Sequence, residues 1–541
     1  MDNMDRIFYN GQIKTLDDQY PMVSAVAVKN GIVMAVGSDE EMKALAGPAT
    51  EMVDLKGAFM CPGLIDSHMH LLLLSNKLRR TDIGVAKTFK ECMDIMAKAA
   101  EAKKGTDGWA MGIGFNQDDW TDCNEVPTRL DLDKACGDVP AYIERACGHI
   151  ATLNTKAMEL MGMMNEKEGE SQYKLRYFED GTPNGVLCED TVRLVEEYFP
   201  VPTVPEMKQL ILMGANYIAS KGLAGVHSDD LNLVVPVKDM PVILQAYKEL
   251  SEADELPIRV HQQCRMLNLP MIEKFCSEYK VRTKWGKNFT IGDIKIMGDG
   301  SLGAHTAVLR GEYKNAPDDH GIPLHDDEEL YAMFRVAHNA GYPIVVHVIG
   351  DGAMDQVVNG YELVMNENPK PNMRHGIIHC QIMDEAQQDR FVKLNLLAYA
   401  QPVFVRYDSQ IVDDCVGSEL AKTSYNWRRY IDLGVHMSGG SDCPVEDCDP
   451  LANMYYAVTR MGMDGKPWYP ENAVTMEEAL RMFTIEGAYS AFEEAERGSI
   501  TIGKYADFTV LDKNIMENPP EELLNTKVLM TVVNGKTVYE G

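Results

Sequence analysis

Phe59-Met-Cys-Pro-Gly-Leu-Ile-Asp-Ser-His68-Met-His70 is an apolar run that closes on two histidines two positions apart. Residues i and i+2 of a strand share a face, so His68 and His70 point the same way and can chelate one ion. A bare H-x-H also reads as two polar residues ending a strand. Its neighbours along the chain decide between the two. Apolar runs also end at Val226 to Asp229, Val260 to Gln263, Ile296 to Gly300, Val346 to Gly350, Ile378 to Gln381, Ala398 to Gln401 and Met437 to Asp442. Helical patterns separate most of them, two opening with the capping sequences Thr203-Val-Pro-Glu206 and Thr475-Met-Glu-Glu478. Strand and helix alternating eight times predict an α/β fold, a (β/α)8 TIM-like barrel.

About 150 residues separate the first run from the second, far more than a strand-to-helix connection needs. An inserted subdomain is therefore expected after barrel strand 1, within 71–222. It includes a helix capped by Thr88-Phe-Lys-Glu91, with Phe89, Met93, Met96 and Ala100 on one face, and strand-like pieces at Trp109 to Gly114 and Ala141 to Cys147. Both ends of the chain have another texture. Short extended runs at Arg6-Ile-Phe-Tyr, Ser24-Ala-Val-Ala-Val and Ile32-Val-Met-Ala-Val are divided by the hairpin signals Asn10-Gly11 and Asn30-Gly31. Similar runs return at Gly498-Ser-Ile-Thr-Ile-Gly-Lys, Ala506-Asp-Phe-Thr-Val-Leu and from Val528 onward. A short sheet cannot bury a face alone, so 1–61 and 490–541 are expected to pair into one small β-sandwich flanking a barrel at 62–489.

Of 541 residues, 45% are apolar and 25% charged, an ordinary globular composition. The formal charge of −30 is spread along the chain without a long acidic block, which argues against nucleic acid or an anionic membrane as partner. The twelve cysteines contain no C-x-x-C pair, and the N-terminus lacks a basic and then apolar leader. A cytoplasmic protein acting on a small molecule is the expectation, with a homodimer as the working assembly. The 34 methionines fall at helical spacing or inside strands and read as flexible core filling.

Four more residues sit where barrel strands should end: Lys295 in Asp293-Ile-Lys-Ile-Met-Gly-Asp-Gly-Ser301, His347 in Ile344-Val-Val-His-Val-Ile-Gly-Asp351, His379 in Gly376-Ile-Ile-His-Cys-Gln381, and Asp442 in Met437-Ser-Gly-Gly-Ser-Asp-Cys-Pro444. A lysine in an apolar strand either pairs with an acid, here Asp293 or Asp299, or loses its charge. A neutral lysine can add carbon dioxide to give a carbamate, an anionic ligand able to bridge two cations. His347 and His379 would present imidazoles at the barrel mouth, where ligands from different strands meet. Asp442, after Gly439-Gly440-Ser441, can ligate a metal and shuttle a proton.

This set resembles the amidohydrolase superfamily, in particular its family-three branch, which includes N-substituted formamide deformylases. Further matching stretches are Gly114-Phe-Asn-Gln-Asp-Asp-Trp120, Gly148-His-Ile-Ala-Thr-Leu-Asn-Thr-Lys-Ala157, Gly185-Val-Leu-Cys-Glu189, Asp299-Gly-Ser-Leu-Gly303, Gln401-Pro402 and Gly498-Ser-Ile, so the likeness runs over essentially the whole chain. It implies a metal-dependent amidohydrolase that cleaves an amide or other C–N bond. It also implies two divalent ions, zinc by expectation: one held by His68, His70 and Asp442, the other by His347 and His379. Carboxylated Lys295 and a hydroxide bridge them, and Asp442 serves as the catalytic proton shuttle. Gly-Ile-Ile precedes His379 where an acidic residue often stands in related chains, which leaves the hydrogen-bond partner of His379 open.

Substrate contacts are assigned to Asn116, Gln117, Trp120 and His149 in the insertion, and to His227 and Asp229 at the end of the second strand, with His261 at the end of the third facing the same mouth. Ordinary loop and turn roles are the alternative for the insertion residues. Two other functions stay open: a hydrolytic deaminase or cyclic-amide hydrolase with one metal, in which Lys295 is an ion-pair partner, and a non-catalytic metal-binding barrel.

Overall fold

Eight parallel strands form the central sheet of the chain: β1 Leu64–Met69, β2 Leu223–Ser228, β3 Arg259–Arg265, β4 Phe289–Met297, β5 Ile344–Val348, β6 Gly376–His379, β7 Leu397–Ala400 and β8 Met437–Gly439. Each pairs in parallel with the next in sequence. In this computed structural model, which describes residues 4–541 apart from 107, 172 and 234–238, the sheet curls into a nearly closed barrel. Closure comes just beyond the strand ends, where the Asp442 N–H donates to the His68 carbonyl (2.8 Å) and the His70 N–H to the Cys443 carbonyl (2.7 Å).

Helices return the chain between strands, among them Met240–Glu252, Leu269–Glu278, Asp327–Asn339, Asp351–Glu367 and Glu385–Leu394. The expected capping box forms at Thr475, whose hydroxyl accepts from the Glu478 N–H while the Glu478 carboxylate accepts from the Thr475 N–H. Thr203 and Glu206 make the corresponding contact ahead of Val204–Ser220. The fold is thus the (β/α)8 barrel that the strand–helix alternation predicts. No helix among the described residues is long and apolar enough to cross a membrane.

Residues near the two termini build two further sheets. One orders Ile32–Gly37, Ala25–Lys29, Arg6–Tyr9 and Glu51–Asp54; the other orders Lys536–Glu540, Val528–Val533, Phe508–Leu511, Phe59–Pro62, Gln12–Lys14 and Met22–Val23. Phe8, Val26 and Val28 of the first pack with Ile13, Met60, Phe508 and Val532 of the second in one apolar cluster. The two Asn-Gly turns behave differently. Asn30-Gly31 joins paired strands, with both residues in the left-handed region (φ 53° and 76°), as a two-residue hairpin requires. Asn10-Gly11 instead carries the chain from one sheet to the other, because Arg6–Tyr9 and Gln12–Lys14 find partners in different sheets. Gly498–Lys504, extended by its sequence pattern, forms turns tied down by the Ile500 N–H to the Thr15 carbonyl (2.8 Å).

The start of β3 is fastened to these terminal strands by a buried ion pair. The Arg259 guanidinium binds Asp507 at 2.6 and 3.1 Å and Asn534 at 2.5 Å. Removing one partner of a buried pair strands the other charge, so Arg259→Ala is expected to lose about 3–5 kcal/mol of stability. Urea denaturation reads this as a lowered midpoint with the slope kept; a midpoint near wild type would show that the pair contributes little.

The chain divides into two compact units, one of Met1–Leu74, Ile211–Leu231 and Ile243–Gly541, the other of Ser75–Leu210 and Asn232–Val242. The second has a six-stranded sheet in the order Leu175–Tyr177, Pro183–Cys188, Ile150–Leu153, Ala141–Arg145, Ala110–Phe115 and Thr81–Asp82. Its helix Phe89–Glu101 buries Cys92, Met96 and Ala100, while Phe89 and Met93 stay partly covered. The inward stripe therefore lies slightly round the helix from the one expected.

Candidate metal centre

Six side chains meet where the barrel strands end. His68 lies on β1 and His70 just beyond it, His347 and His379 on β5 and β6, Lys295 on β4, and Asp442 past the end of β8. All are buried except His347, which is partly so. Asp442 Oδ1 is 3.2 Å from His68 Nε2 and 3.0 Å from His70 Nε2. His347 Nδ1 is 2.8 Å from His379 Nε2. The His68 and His379 rings, 5.7 Å apart, join the two pairs into one cluster. His68, His379 and Asp442 each offer a ligand atom within 4.8 Å of the others, and so do His68, His70 and Asp229.

The far nitrogen of every imidazole is held by an acceptor. Gln263 Oε1 takes His68 Nδ1 (2.6 Å), the Asp229 carbonyl takes His70 Nδ1 (2.9 Å), the Gly300 carbonyl takes His347 Nε2 (3.1 Å), and Gln401 Oε1 takes His379 Nδ1 (2.9 Å). Such a partner puts the ring proton on the outer nitrogen and aims the other lone pair inward. Burial lowers the His68 pKa to about 4 and the His347 pKa to about 3, and it puts His379 well below its ordinary value, so these three rings are neutral. Acceptor then faces acceptor twice, His68 against Asp442 and His347 against His379. His70 differs, since its contact with Asp442 raises its pKa although burial opposes this. Burial also disfavours the Asp442 anion, yet the hydrogen bond from His70 holds its carboxyl well below the usual range.

Lys295 is fully buried, and its ammonium nitrogen has no hydrogen-bond partner among the described residues. Burial pulls its pKa down to about 7, making the neutral amine accessible near neutral pH. Neither acid offered as an ion-pair partner is free for it. Asp293 contacts His261 Nε2 (3.2 Å), and Asp299 accepts the N–H groups of Val308, Ile349 and Gly350. His379, Cys380 and Asp442 all hold left-handed backbone (φ 80°, 50° and 60°), a conformation non-glycine residues keep only where their surroundings impose it.

Of the residues given substrate contacts from the sequence, Asp229 belongs to the cluster, sharing a possible ligand group with His68 and His70. His227 is fully buried and pairs in register with His261, two residues before the Gln263 that holds His68. It packs on the His261 ring (4.7 Å) and near Tyr399 (6.5 Å). Gly292 makes room for His261, since a Cβ there would lie 2.2 Å from its Nε2. The Asp229 carboxylate is engaged by Arg265 at 2.6 and 3.0 Å, and the residue serves His70 through its carbonyl.

In the second unit, Trp120 is core, stacked on Phe115 (5.8 Å) and set edge-on to Phe89 (5.7 Å). Asn116 and Gln117 accept from the Arg145 guanidinium at 2.7 and 2.9 Å, and exposed His149 contacts Glu189 at 3.1 Å. Gln263 and Gln401, to which the sequence pattern assigns no role, hold two of the four histidines. For Gln401 the sequence signal is its place in the matching stretch Gln401-Pro402, and for Gln263 it is only an uncharged polar residue late in an apolar strand.

The profile described as "Amidohydrolase family" matches residues 51–539. The chain is 30% identical to "Putative amidohydrolase YtcJ" of Bacillus subtilis (strain 168), covering 99% of this chain and 100% of that one. It is 24% identical to "N-substituted formamide deformylase" of Arthrobacter pascens, covering 99% and 98%. The crystal structure of an uncharacterized metal-dependent hydrolase from Pyrococcus horikoshii OT3 superposes with a TM-score of 0.78 at 25% identity, over 95% of this chain and 99% of that chain. A barrel that gathers histidine, lysine and aspartate at its strand ends, matched to that profile over nearly its whole length, makes this chain a member of the amidohydrolase family.

Proposed function

We infer that the protein is a metal-dependent hydrolase of an amide or related C–N bond in a small molecule. The facing acceptors carry this reading: His68 Nε2 against Asp442 Oδ1 (3.2 Å) and His347 Nδ1 against His379 Nε2 (2.8 Å) are close approaches that a shared cation turns from repulsive to favourable. The donor set of neutral imidazoles and a carboxylate suits zinc. His68, His70 and Asp442 would hold one ion and His347 and His379 a second, with Lys295 bridging them as its carbamate. The buried amine fits that role, because only an uncharged lysine can add carbon dioxide. Bound divalent ions supply a water of lowered pKa and polarise the scissile carbonyl.

The chain's own residues do the rest. Asp442, kept ionised, accepts a proton from the attacking water and passes it to the leaving nitrogen. Gln263, Gln401 and the carbonyls of Asp229 and Gly300 fix the orientation of the four rings before substrate arrives. Phe404, stacked on His379 at 5.9 Å, bounds the cluster with an apolar wall. The name of the Arthrobacter relative makes N-substituted formamides the first substrates to try.

Elemental analysis of purified protein, with turnover of an amide panel before and after chelation, tests the reading. Bound divalent metal and chelator-sensitive hydrolysis are expected; a metal-free protein that gains no activity with added zinc would refute it. Gln401→Leu removes the acceptor at His379 Nδ1, and an outer partner of this kind typically contributes 10–100-fold in metal affinity. Chelator competition should show a loss of about that size, with the fold kept. Unchanged affinity would mean that Gln401 does not support the centre.

A further inference from the structure

At the other end of the barrel, the turns leading into β4, β5 and β6 border a cavity of about 260 Å3. Pro343, Pro371 and Met373 form its apolar wall, Arg282 and Asn372 its polar one, and Phe492 completes it. The Arg282 guanidinium lies 4.5 Å from the Phe492 ring. Among the described residues it makes no hydrogen bond or ion pair. Its neighbour Arg374, 4.2 Å from the same ring, is by contrast neutralised by Glu494 at 2.6 and 3.1 Å. Asn372 spends its side-chain oxygen on Arg374 Nε (3.1 Å), which leaves its amide N–H groups to donate.

The cavity thus carries, on the exposed Arg282, a positive charge with no carboxylate partner among the described residues, in a chain of formal charge −30, beside an apolar wall. Arg282, Asn372 and Phe492 all hold left-handed backbone (φ 59°, 54° and 60°). Conformations of this kind persist where the surroundings over-determine them, and ligand clamps are among those places.

We propose that this cavity is a second ligand site, for a small organic monocarboxylate with an apolar body. The planar guanidinium of Arg282 matches a carboxylate in two parallel hydrogen bonds, and the Asn372 amide adds a donor. The two prolines and Met373 receive the apolar part. A dianionic phosphate fits less well, since one guanidinium leaves half its charge unmatched and the prolines have no N–H to offer. The volume lies below the ~300 Å3 at which drug-sized sites begin, which sets the ligand at the scale of benzoate.

Calorimetric titration of the full-length protein as purified, with sodium benzoate at low salt, tests the proposal. Benzamide serves as the uncharged control of the same shape, and inorganic phosphate as the control for charge. Saturable binding of one benzoate per chain is expected, with both controls at least about tenfold weaker, as for loss of a charge-assisted hydrogen bond. Arg282→Gly removes the guanidinium and suits the backbone at φ 59°, so the variant should fold as well as wild type. It should bind benzoate about tenfold more weakly or worse. No saturable binding overturns the proposal. So does equal binding of benzamide or phosphate, or unchanged benzoate affinity in Arg282→Gly, which would place the ligand elsewhere, the metal-ligand cluster included.

Discussion

Asp442→Asn is expected to keep most of its substrate affinity and to lose about 10²–10⁴-fold in kcat, the usual effect of removing a general base. The asparagine oxygen can still approach a cation where Asp442 Oδ1 stands, between His68 and His70. It cannot accept a proton from water. The missing interaction is made mainly in the transition state, so the loss should fall on kcat and leave KM nearly unchanged. Steady-state kinetics on metal-loaded variant protein measures both. A variant within about threefold of wild-type kcat would remove the proton-shuttle role, because that is far short of the loss a missing general base causes.

Lys295→Ala should have an equally large effect by another route. The side chain reaches the cluster from β4, fully buried, without a hydrogen-bond partner and with its pKa drawn down to about 7. Alanine deletes the amine that, as its carbamate, would bridge the two proposed ions. The variant is expected to bind at most one metal tightly and to lose turnover. Short-chain carboxylic acids, which imitate the carbamate, should restore part of the activity. Two metals per chain in Lys295→Ala without added acid would refute the bridging role.

The strand ends and the ligand residue types are legible in the sequence because they depend on local pattern. Each of β1, β4, β5, β6 and β8 is a short apolar run, and the residue that closes it comes to the same end of the barrel as the others. What escapes the sequence depends on register and on distant partners. Gln263 reaches His68 from two strands away, and Gln401 reaches His379 from the next strand, contacts fixed by the stagger of the barrel. Trp120 sits in a polar stretch that suggests a pocket wall, but Phe115 and Phe89 enclose it in the core of the second unit. His227 is a mouth candidate by its place in the run, and the pairing of β2 with β3 sets its ring against that of His261, a contact that the run alone does not show. Identical Asn-Gly pairs at 10–11 and 30–31 part ways because only the second lies between strands that pair with each other.

The most direct test of a carbamate-bridged metal centre is the electron density at Lys295 in a crystal structure of the protein as purified. The prediction is density continuing beyond Nζ as a planar carbamate, flanked by two metal peaks, one beside His68, His70 and Asp442 and one beside His347 and His379. A bare lysine with no metal peak at either position would contradict it.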